Sequence, residues 1–188
     1  NDDTILEKVV ALVIPDENQG LTRYMAGELD KGPVPTGQFK KLKAEYPDQA
    51  VSFPRLCNYY YTFNLSDSGI EAFQDVRVRK AMAYAIDRNV ITEDILQAGQ
   101  IPAYTFTPGA TAGFDVPSVT FSKMSQEERD VRAVELMEEA GYGKNNPLSF
   151  TMIYNTSEGH KKIATVMAQM WKQKLLLYIL LLFWLKAR

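Results

Sequence analysis

One amphipathic helix pattern, in residues 73–88 (FQDVRVRKAMAYAIDR), constrains the fold of this 188-residue chain more than any other feature. Asp75 is a residue type that caps helix N-termini, and the apolar residues after it recur at three- and four-residue spacing. These apolar positions are Val76, Met82, Ala83 and Ile86, and basic residues on other faces are Arg77, Arg79 and Lys80. By itself, the pattern predicts an amphipathic helix that packs on a core.

The composition is that of an ordinary globular protein, with 46% hydrophobic and 23% charged residues. The length allows one domain or two small lobes. The formal net charge is −2, and basic residues are scattered among acidic ones. Nucleic-acid-binding proteins usually carry a basic patch, so the charge pattern argues against a nucleic-acid partner.

In the first third of the chain, the expected elements are short and separated by turn residues. Clusters of Val, Leu, Ile and aromatic residues favour strands. The expected strands cover residues 4–14, part of residues 28–35, and residues 50–64. Helices are expected between them, over residues 20–26 and residues 38–46, with Thr36 as the N-cap of the second.

The remainder of the chain is predicted to be mainly helical, with one clear strand. Helices are expected over residues 76–86 and 89–98, followed by irregular structure over residues 99–118. Ser125 and Glu128 match a capping box, which opens a helix that Gly141 ends. Asp87 or Asn89 is expected to break the first of these helices. A strand is expected over residues 148–154, and a helix over residues 158–174 with Thr156 or Ser157 as its N-cap.

Residues 175–185 (LLLYILLLFWL) form an uninterrupted apolar run. The run is too short to cross a membrane as a helix, which requires about 20 residues. Three interpretations remain open: a buried strand of unusual composition, a genuine variant or fusion, or an incorrectly assigned stretch of sequence. We therefore assign no function to this run.

Catalytic motifs have little support in the sequence. The chain has one histidine and one cysteine, far apart, and it lacks the paired His or Cys spacing of metal sites. It also lacks the Gly-x-Ser-x-Gly motif of serine hydrolases. The glycines of residues 109–113 (GATAG) are not followed by the Lys-Ser/Thr pair of a phosphate loop. These observations predict that the protein is not an enzyme and has no metal site.

The strongest candidate site is the segment of residues 155–162 (NTSEGHKK), between a predicted strand and a predicted helix. Free backbone N–H groups and the helix dipole favour an anion at a helix start. There, His160 could hold a ligand carboxylate by a charge-assisted hydrogen bond. Lys161 and Lys162 would add positive charge, or point into solvent. A surface histidine without a ligand is the alternative.

The tyrosine run of residues 59–61 is the second candidate. In a strand, Tyr60 faces the side opposite to Tyr59 and Tyr61. One side would pack on the core, while the other could line a cavity with rings that carry a polar tip. Simple cross-strand packing is the alternative.

Several motifs occur together in a fixed order. They are residues 56–61 (LCNYYY), 73–88, 100–109 (QIPAYTFTPG), 136–142 (LMEEAGY) and 154–162 (YNTSEGHKK). With these motifs, the chain from about residue 20 to about residue 174 resembles the periplasmic solute-binding proteins that feed peptides to ABC importers. Within solute-binding protein family 5, it is most similar to the oligopeptide-binding members.

The resemblance implies an α/β chain that is part of a two-lobed, type II periplasmic-binding-protein-like fold. Because proteins of that family are much longer, the chain would be an internal fragment. Residues 1–56 would be the C-terminal part of the first lobe, and residues 57–188 the N-terminal half of the peptide-binding second lobe, with residues 175–188 departing from the family. Cys57 would be half of a disulfide whose partner is absent from the chain; a small buried cysteine is the alternative.

The resemblance also implies roles for individual residues. His160 would lie near the C-terminal carboxylate of a bound peptide, Tyr60 would contact the ligand, and Asn155 would bond peptide or water. Two positions depart from the family relative: Leu96 stands where a lysine approaches the carboxylate, and the loop at residues 31–33 lacks a Tyr-Asn pair.

The implied function is that of a periplasmic, monomeric binding protein that encloses short peptides between its lobes and delivers them to the membrane permease of an ABC importer. No cofactor is expected. Two alternatives remain open: the same fold with another ligand (a murein peptide, a dipeptide or haem), or an interaction module unrelated to transport.

Overall fold

The computed structural model describes residues 5–53 and 55–183, with side chains described as far as residue 182. The helices and strands, in chain order, are α1 (Glu17–Met25), α2 (Phe39–Glu45), α3 (Val76–Tyr84), α4 (Gln126–Glu139), β1 (Ser149–Tyr154), α5 (Glu158–Leu175) and β2 (Tyr178–Phe183). Two short 3-10 turns, Glu71–Gln74 and Thr120–Ser122, and a π-helical segment, Val90–Leu96, complete the series.

The two strands form a parallel pair connected by α5. Ser149 pairs with Tyr178, and the register continues to Tyr154 and Phe183. Parallel strands cannot be joined by a tight hairpin, and the helix supplies the crossover that they require. This β1–α5–β2 unit confirms the predicted α/β class.

The amphipathic helix that was predicted after Asp75 forms as α3, and its buried face anchors the core. The fully buried residues are Val78, Ala81, Met82 and Ala85, which recur at helical spacing. They pack against α4 and the inner faces of α5 and the sheet. Val76, which was predicted to lie on the apolar face, is exposed. It lies on another side of the helix because it precedes Val78 by only half a turn.

Trp171 fastens α5 to α3. Its indole N–H donates a buried hydrogen bond of 2.8 Å to the carbonyl oxygen of Met82. The ring also meets Phe150 of β1 edge-on, with 5.9 Å between centroids. Helix α5 is therefore fixed to both the helical layer and the sheet.

The predicted helix-end signals are mostly confirmed. Ser125 and Glu128 form both hydrogen bonds of a capping box, and Gly141 follows α4 at a φ of 86°. Ser157, one of the two predicted candidates, caps α5 by accepting from the N–H of His160. Asp87 accepts hydrogen bonds from the N–H groups of residues 89 and 90, which begins a new segment after α3.

Other helix predictions need correction. Thr36 does not cap α2, which begins after Gln38; Thr36 instead donates to Glu17. The helix predicted over residues 89–98 is a π-helical segment that ends at Gln97 in a left-handed conformation. At Thr36, a tertiary contact with Glu17 replaces the expected cap.

The three strands predicted before residue 65 are wrong for the residues described. Residues 5–14, 28–35 and 50–64 contain no strand; Thr4 and Pro54 lie outside the described residues. In the first of these segments, six apolar side chains are between 50% and 93% exposed: Ile5, Leu6, Val9, Val10, Leu12 and Val13. A strand requires a partner for its N–H and C=O groups, and these segments pair with nothing in the described part of the chain.

The described part of the apolar run of residues 175–185 begins with the last residue of α5, Leu175, and continues into strand β2, Tyr178–Phe183. Leu177 is buried, and Ile179 and Leu181 pack on the core. The alternate side chains Tyr178, Leu180 and Leu182 are exposed. Of the three interpretations left open, the structure shows a strand, and that strand is buried on one face only. Residues 184 and 185 lie outside the described residues.

Among the residues that the structure describes, no helix combines the length and the apolar character that a membrane span requires.

Replacement of Trp171 by Phe is expected to lower the free energy of unfolding by about 2 kcal/mol. The change leaves a buried carbonyl without its donor, which costs about 1–3 kcal/mol. Urea unfolding followed by far-UV circular dichroism measures the loss. Val131→Ala, at an exposed position of α4, is the control and should shift stability by less than about 0.5 kcal/mol. Equal stability of the two variants would contradict this account of the core.

Candidate functional site

The candidate site lies where β1 ends and α5 begins. The chain leaves the sheet at Tyr154 and turns through Asn155, whose side-chain oxygen accepts from the N–H of Ser157 at 3.1 Å. Ser157 then caps α5. This turn places His160 in the first turn of an 18-residue helix, close to its positive end.

Asn155 orients the imidazole of His160. The Nδ1 atom of His160 lies 2.8 Å from Oδ1 of Asn155. Because that oxygen already accepts from Ser157, it acts as an acceptor, so the proton in this contact lies on Nδ1. The other ring nitrogen, Nε2, makes no hydrogen bond within the described residues.

Tyr59 forms the wall beside the histidine. Its ring lies 4.6 Å from the imidazole centroid at a tilt of 34°. The ring of Tyr61 meets Tyr59 edge-on at 5.5 Å, and the Tyr59 hydroxyl donates to the Tyr61 hydroxyl at 3.1 Å. Tyr59 therefore contacts the imidazole directly, and Tyr61 supports Tyr59.

The two phenols of this wall are neutral. Burial raises the pKa of both Tyr59 and Tyr61 above the ordinary value of 10.0, and the hydrogen bond with Tyr59 raises the pKa of Tyr61 further. Both hydroxyls therefore stay protonated at physiological pH. They bring no negative charge that would repel a carboxylate at His160.

Tyr60 occupies a different aromatic cluster. Its ring meets Phe106 edge-on at 4.9 Å, and the two side chains are 55% and 69% exposed. The side-chain amide of Asn58 holds the loop of Phe106 in place by donating to the carbonyl oxygens of Thr105 and Phe106. Of the predicted site residues, the structure brings together His160 and Asn155, and it places Tyr60 on Phe106.

Tyr59 and Tyr61 were not selected as site residues from the sequence. The alternation of side chains did indicate that these two share one side of the run, opposite to Tyr60. Their partner, His160, is distant in sequence, and only the fold shows which side of the run it meets.

The neighbouring lysines do not add charge directly at the imidazole. The ammonium group of Lys161 lies 4.0 Å from the carboxylate of Glu158, and Lys162 donates to the carbonyl oxygen of Thr36 at 2.9 Å. Cys57 is an exposed free thiol, and Leu96 packs against the core.

The contacts of His160 fix the orientation of its ring. The imidazole contacts an amide oxygen and an aromatic ring, which orient a donor but do not form the nucleophile–base pair of covalent catalysis. Within the described residues, no three His, Cys, Asp or Glu side chains cluster as a metal site.

Comparison with known proteins places the chain in a family. Residues 1–176 match the family described as bacterial extracellular solute-binding proteins, family 5 Middle. The periplasmic murein peptide-binding protein MppA of Escherichia coli is 44% identical over 176 residues, which are 93% of this chain and 32% of MppA. The periplasmic oligopeptide-binding protein OppA of Salmonella typhimurium is 38% identical over 177 residues, with the same coverage of 93% and 32%.

Solved structures agree. The murein tripeptide binding protein MppA of Escherichia coli superposes with a TM-score of 0.86 at 41% identity, covering 92% of this chain and 33% of that structure. The unliganded open form of MppA superposes with a TM-score of 0.71 at 40% identity and the same coverage. The likeness confirms the expected type II periplasmic-binding-protein fold.

The chain spans about a third of the length of the relatives that it matches. The match nevertheless extends over nearly the whole of this chain, and the relatives are binding proteins rather than enzymes. The chain therefore belongs to family 5 of the bacterial extracellular solute-binding proteins.

Proposed function

We propose that this chain is the middle section of a periplasmic binding protein that captures short peptides and delivers them to the membrane permease of an ABC importer. The observation that carries the proposal is the corner formed by His160, Asn155 and Tyr59 at the start of α5. The complete protein acts as a monomer, without cofactor and without catalysis.

The corner suits the C-terminal carboxylate of a peptide. Asn155 accepts from Nδ1 of the imidazole, so Nε2 can donate to an anion when the ring is protonated, and that bond is then charge-assisted. The backbone N–H groups of the first turn and the helix dipole favour the same charge. Because the phenols of Tyr59 and Tyr61 are neutral, they do not repel a carboxylate at His160.

The aromatic pair of Tyr60 and Phe106 provides a second contact for the ligand. Both rings are largely exposed, although they pack against each other. An exposed aromatic surface beside a binding site suits apolar side chains of variable shape. We assign to this pair the contact with a peptide side chain.

The ligand cavity lies between two lobes. We divide the chain into residues 1–56, in the first lobe, and residues 57–188, in the second. Residues outside this chain complete the cavity and bind the peptide's ammonium group, and they provide the disulfide partner of Cys57. Closure of the lobes by a hinge then sequesters the peptide.

Murein peptides are the second candidate ligand. Identity to MppA exceeds identity to OppA of Salmonella, and Leu96 packs on the core where the oligopeptide binder is expected to present a lysine. Titration of the complete protein with the murein tripeptide and with Ala-Ala-Ala by calorimetry distinguishes the two. If the protein binds neither peptide, the peptide-capture proposal is wrong. Hydrolysis of either peptide, detected by mass spectrometry, would contradict the absence of catalysis.

His160→Phe is expected to weaken the binding of Ala-Ala-Ala to the complete protein by about 10- to 100-fold. The variant keeps a ring beside Tyr59 but removes the donor, and a hydrogen bond to a charged group contributes about 1.5–3 kcal/mol. Calorimetry with the free peptide and with its C-terminal amide measures the effect.

The amide serves as the control for that experiment, because it lacks the carboxylate. The parent should prefer the free acid, and His160→Phe should bind the two forms about equally. Tyr178→Phe, at an exposed position on β2, should leave the preference intact. A full preference for the acid in His160→Phe would exclude His160 as the carboxylate partner.

The 188-residue chain by itself should bind Ala-Ala-Ala at least 100-fold more weakly than the complete protein does. Half of the cavity wall is missing, so most of the ligand stays in water. Fluorescence titration of the two proteins under identical conditions measures the ratio. Submicromolar affinity of the 188-residue chain would refute the two-lobed site.

A further inference from the structure

A loop from the first part of the chain reaches the start of α5. The carboxylate of Glu17 accepts hydrogen bonds from the backbone N–H and the hydroxyl of Thr36, at 2.8 and 3.2 Å. The carbonyl oxygen of Thr36 in turn accepts from the ammonium of Lys162 at 2.9 Å. Thr36 is thus held by α1 on one side and by α5 on the other.

The approach of Thr36 to α5 depends on the absence of a side chain at Gly159. A Cβ atom at Gly159 would lie 2.7 Å from the hydroxyl oxygen of Thr36, closer than atoms normally pack. Gly37 lies similarly close to the π-helical segment, since a Cβ there would be 3.2 Å from the carbonyl oxygen of Ile95. Its φ of 84° is also in the left-handed region that favours glycine. Two glycines therefore allow the loop to fit against α5 and the π-helical segment.

Two more hydrogen bonds join the same two parts of the chain. Lys40 donates to the carbonyl oxygen of Glu93 at 3.2 Å, and the hydroxyl of Ser52 donates to the carbonyl oxygen of Ala98 at 2.7 Å. Together with the Lys162–Thr36 hydrogen bond, these contacts connect residues 1–56 with residues 57–188. They consist of polar groups, which can separate and become hydrated at small cost, unlike a buried apolar core.

We propose that Thr36, Gly159 and Lys162 form a closure contact, which holds the two lobes together in the ligand-bound form and positions His160. Gly159 precedes the histidine directly, so the contact fixes the turn of α5 that carries the imidazole. The inference rests on the peptide-capture function proposed above. The better agreement of this chain with one MppA structure than with the unliganded open form supports it.

The closure contact affects affinity through the population of the closed form. A ligand that binds only the closed form has an apparent Kd that rises as the closed fraction falls. The three residues act on the peptide through His160 and the lobe arrangement, so they are positioning residues. A change at the contact should weaken binding without unfolding either lobe.

Gly159→Ala in the complete protein tests this inference. The added methyl group should push Thr36 away, while alanine suits a helix better than glycine does. We expect Ala-Ala-Ala to bind about 10-fold more weakly, with an unchanged or higher melting temperature. Gly20→Ala, inside α1 where nothing lies within 4 Å of the new Cβ, is the matched control and should bind as the parent does.

A second substitution provides the rescue. Thr36→Ala removes the hydroxyl that the methyl group would meet, so the Gly159→Ala/Thr36→Ala double variant should recover affinity to within about threefold of Thr36→Ala alone. Parental affinity in Gly159→Ala, or a double variant no better than Gly159→Ala, would overturn the closure contact.

A distance measurement separates this proposal from the proposed function. Spin labels at the exposed positions Lys41 and Glu138 report the fraction of molecules with a short separation between the lobes. That fraction should be lower in Gly159→Ala than in Gly20→Ala, with or without peptide. Equal fractions in the two variants would overturn the closure contact, whether or not the parent binds peptide. A parent that binds no peptide would instead refute the peptide-capture function.

Discussion

The packing of α5 is the constraint on which the rest of the structure depends. Trp171 ties this helix to α3 through the Met82 carbonyl and to the sheet through Phe150. Its opposite end carries His160 and receives the Thr36 loop. A single rigid element therefore connects the core, the candidate carboxylate site and the contact with the first part of the chain. If the core contacts of α5 shifted, the candidate carboxylate site and the contact with the Thr36 loop would move with the helix.

Features encoded by neighbouring residues were predictable from the sequence. The Ser125–Glu128 capping box, the end of α4 at Gly141 and the helix after Asp75 all depend on contacts within a few residues. The strand expectations before residue 65 failed because strand formation needs a partner from elsewhere, and apolar residues such as Val9 and Val10 find none in the described part of the chain. Local propensity cannot supply that partner.

The candidate site shows the same division. The sequence placed His160 and Asn155 in one turn between a strand and a helix, and the structure joins them by a 2.8 Å contact. The sequence did not show that Tyr59, rather than Tyr60, lies on the imidazole. The tyrosine run and His160 are remote in the chain, so only the fold brings them together. The sequence analysis did not single out Gly159. Only the approach of Thr36 reveals why a side chain would not fit there.

The central claim is that His160 receives the carboxylate of a captured peptide. A crystal structure of the complete protein with Ala-Ala-Ala bound tests that claim most directly. The account predicts a carboxylate oxygen about 3 Å from Nε2 of His160, the distance of an N–H···O hydrogen bond, with Nδ1 still on Asn155. A peptide whose carboxylate lies elsewhere, with the imidazole facing water, would contradict it.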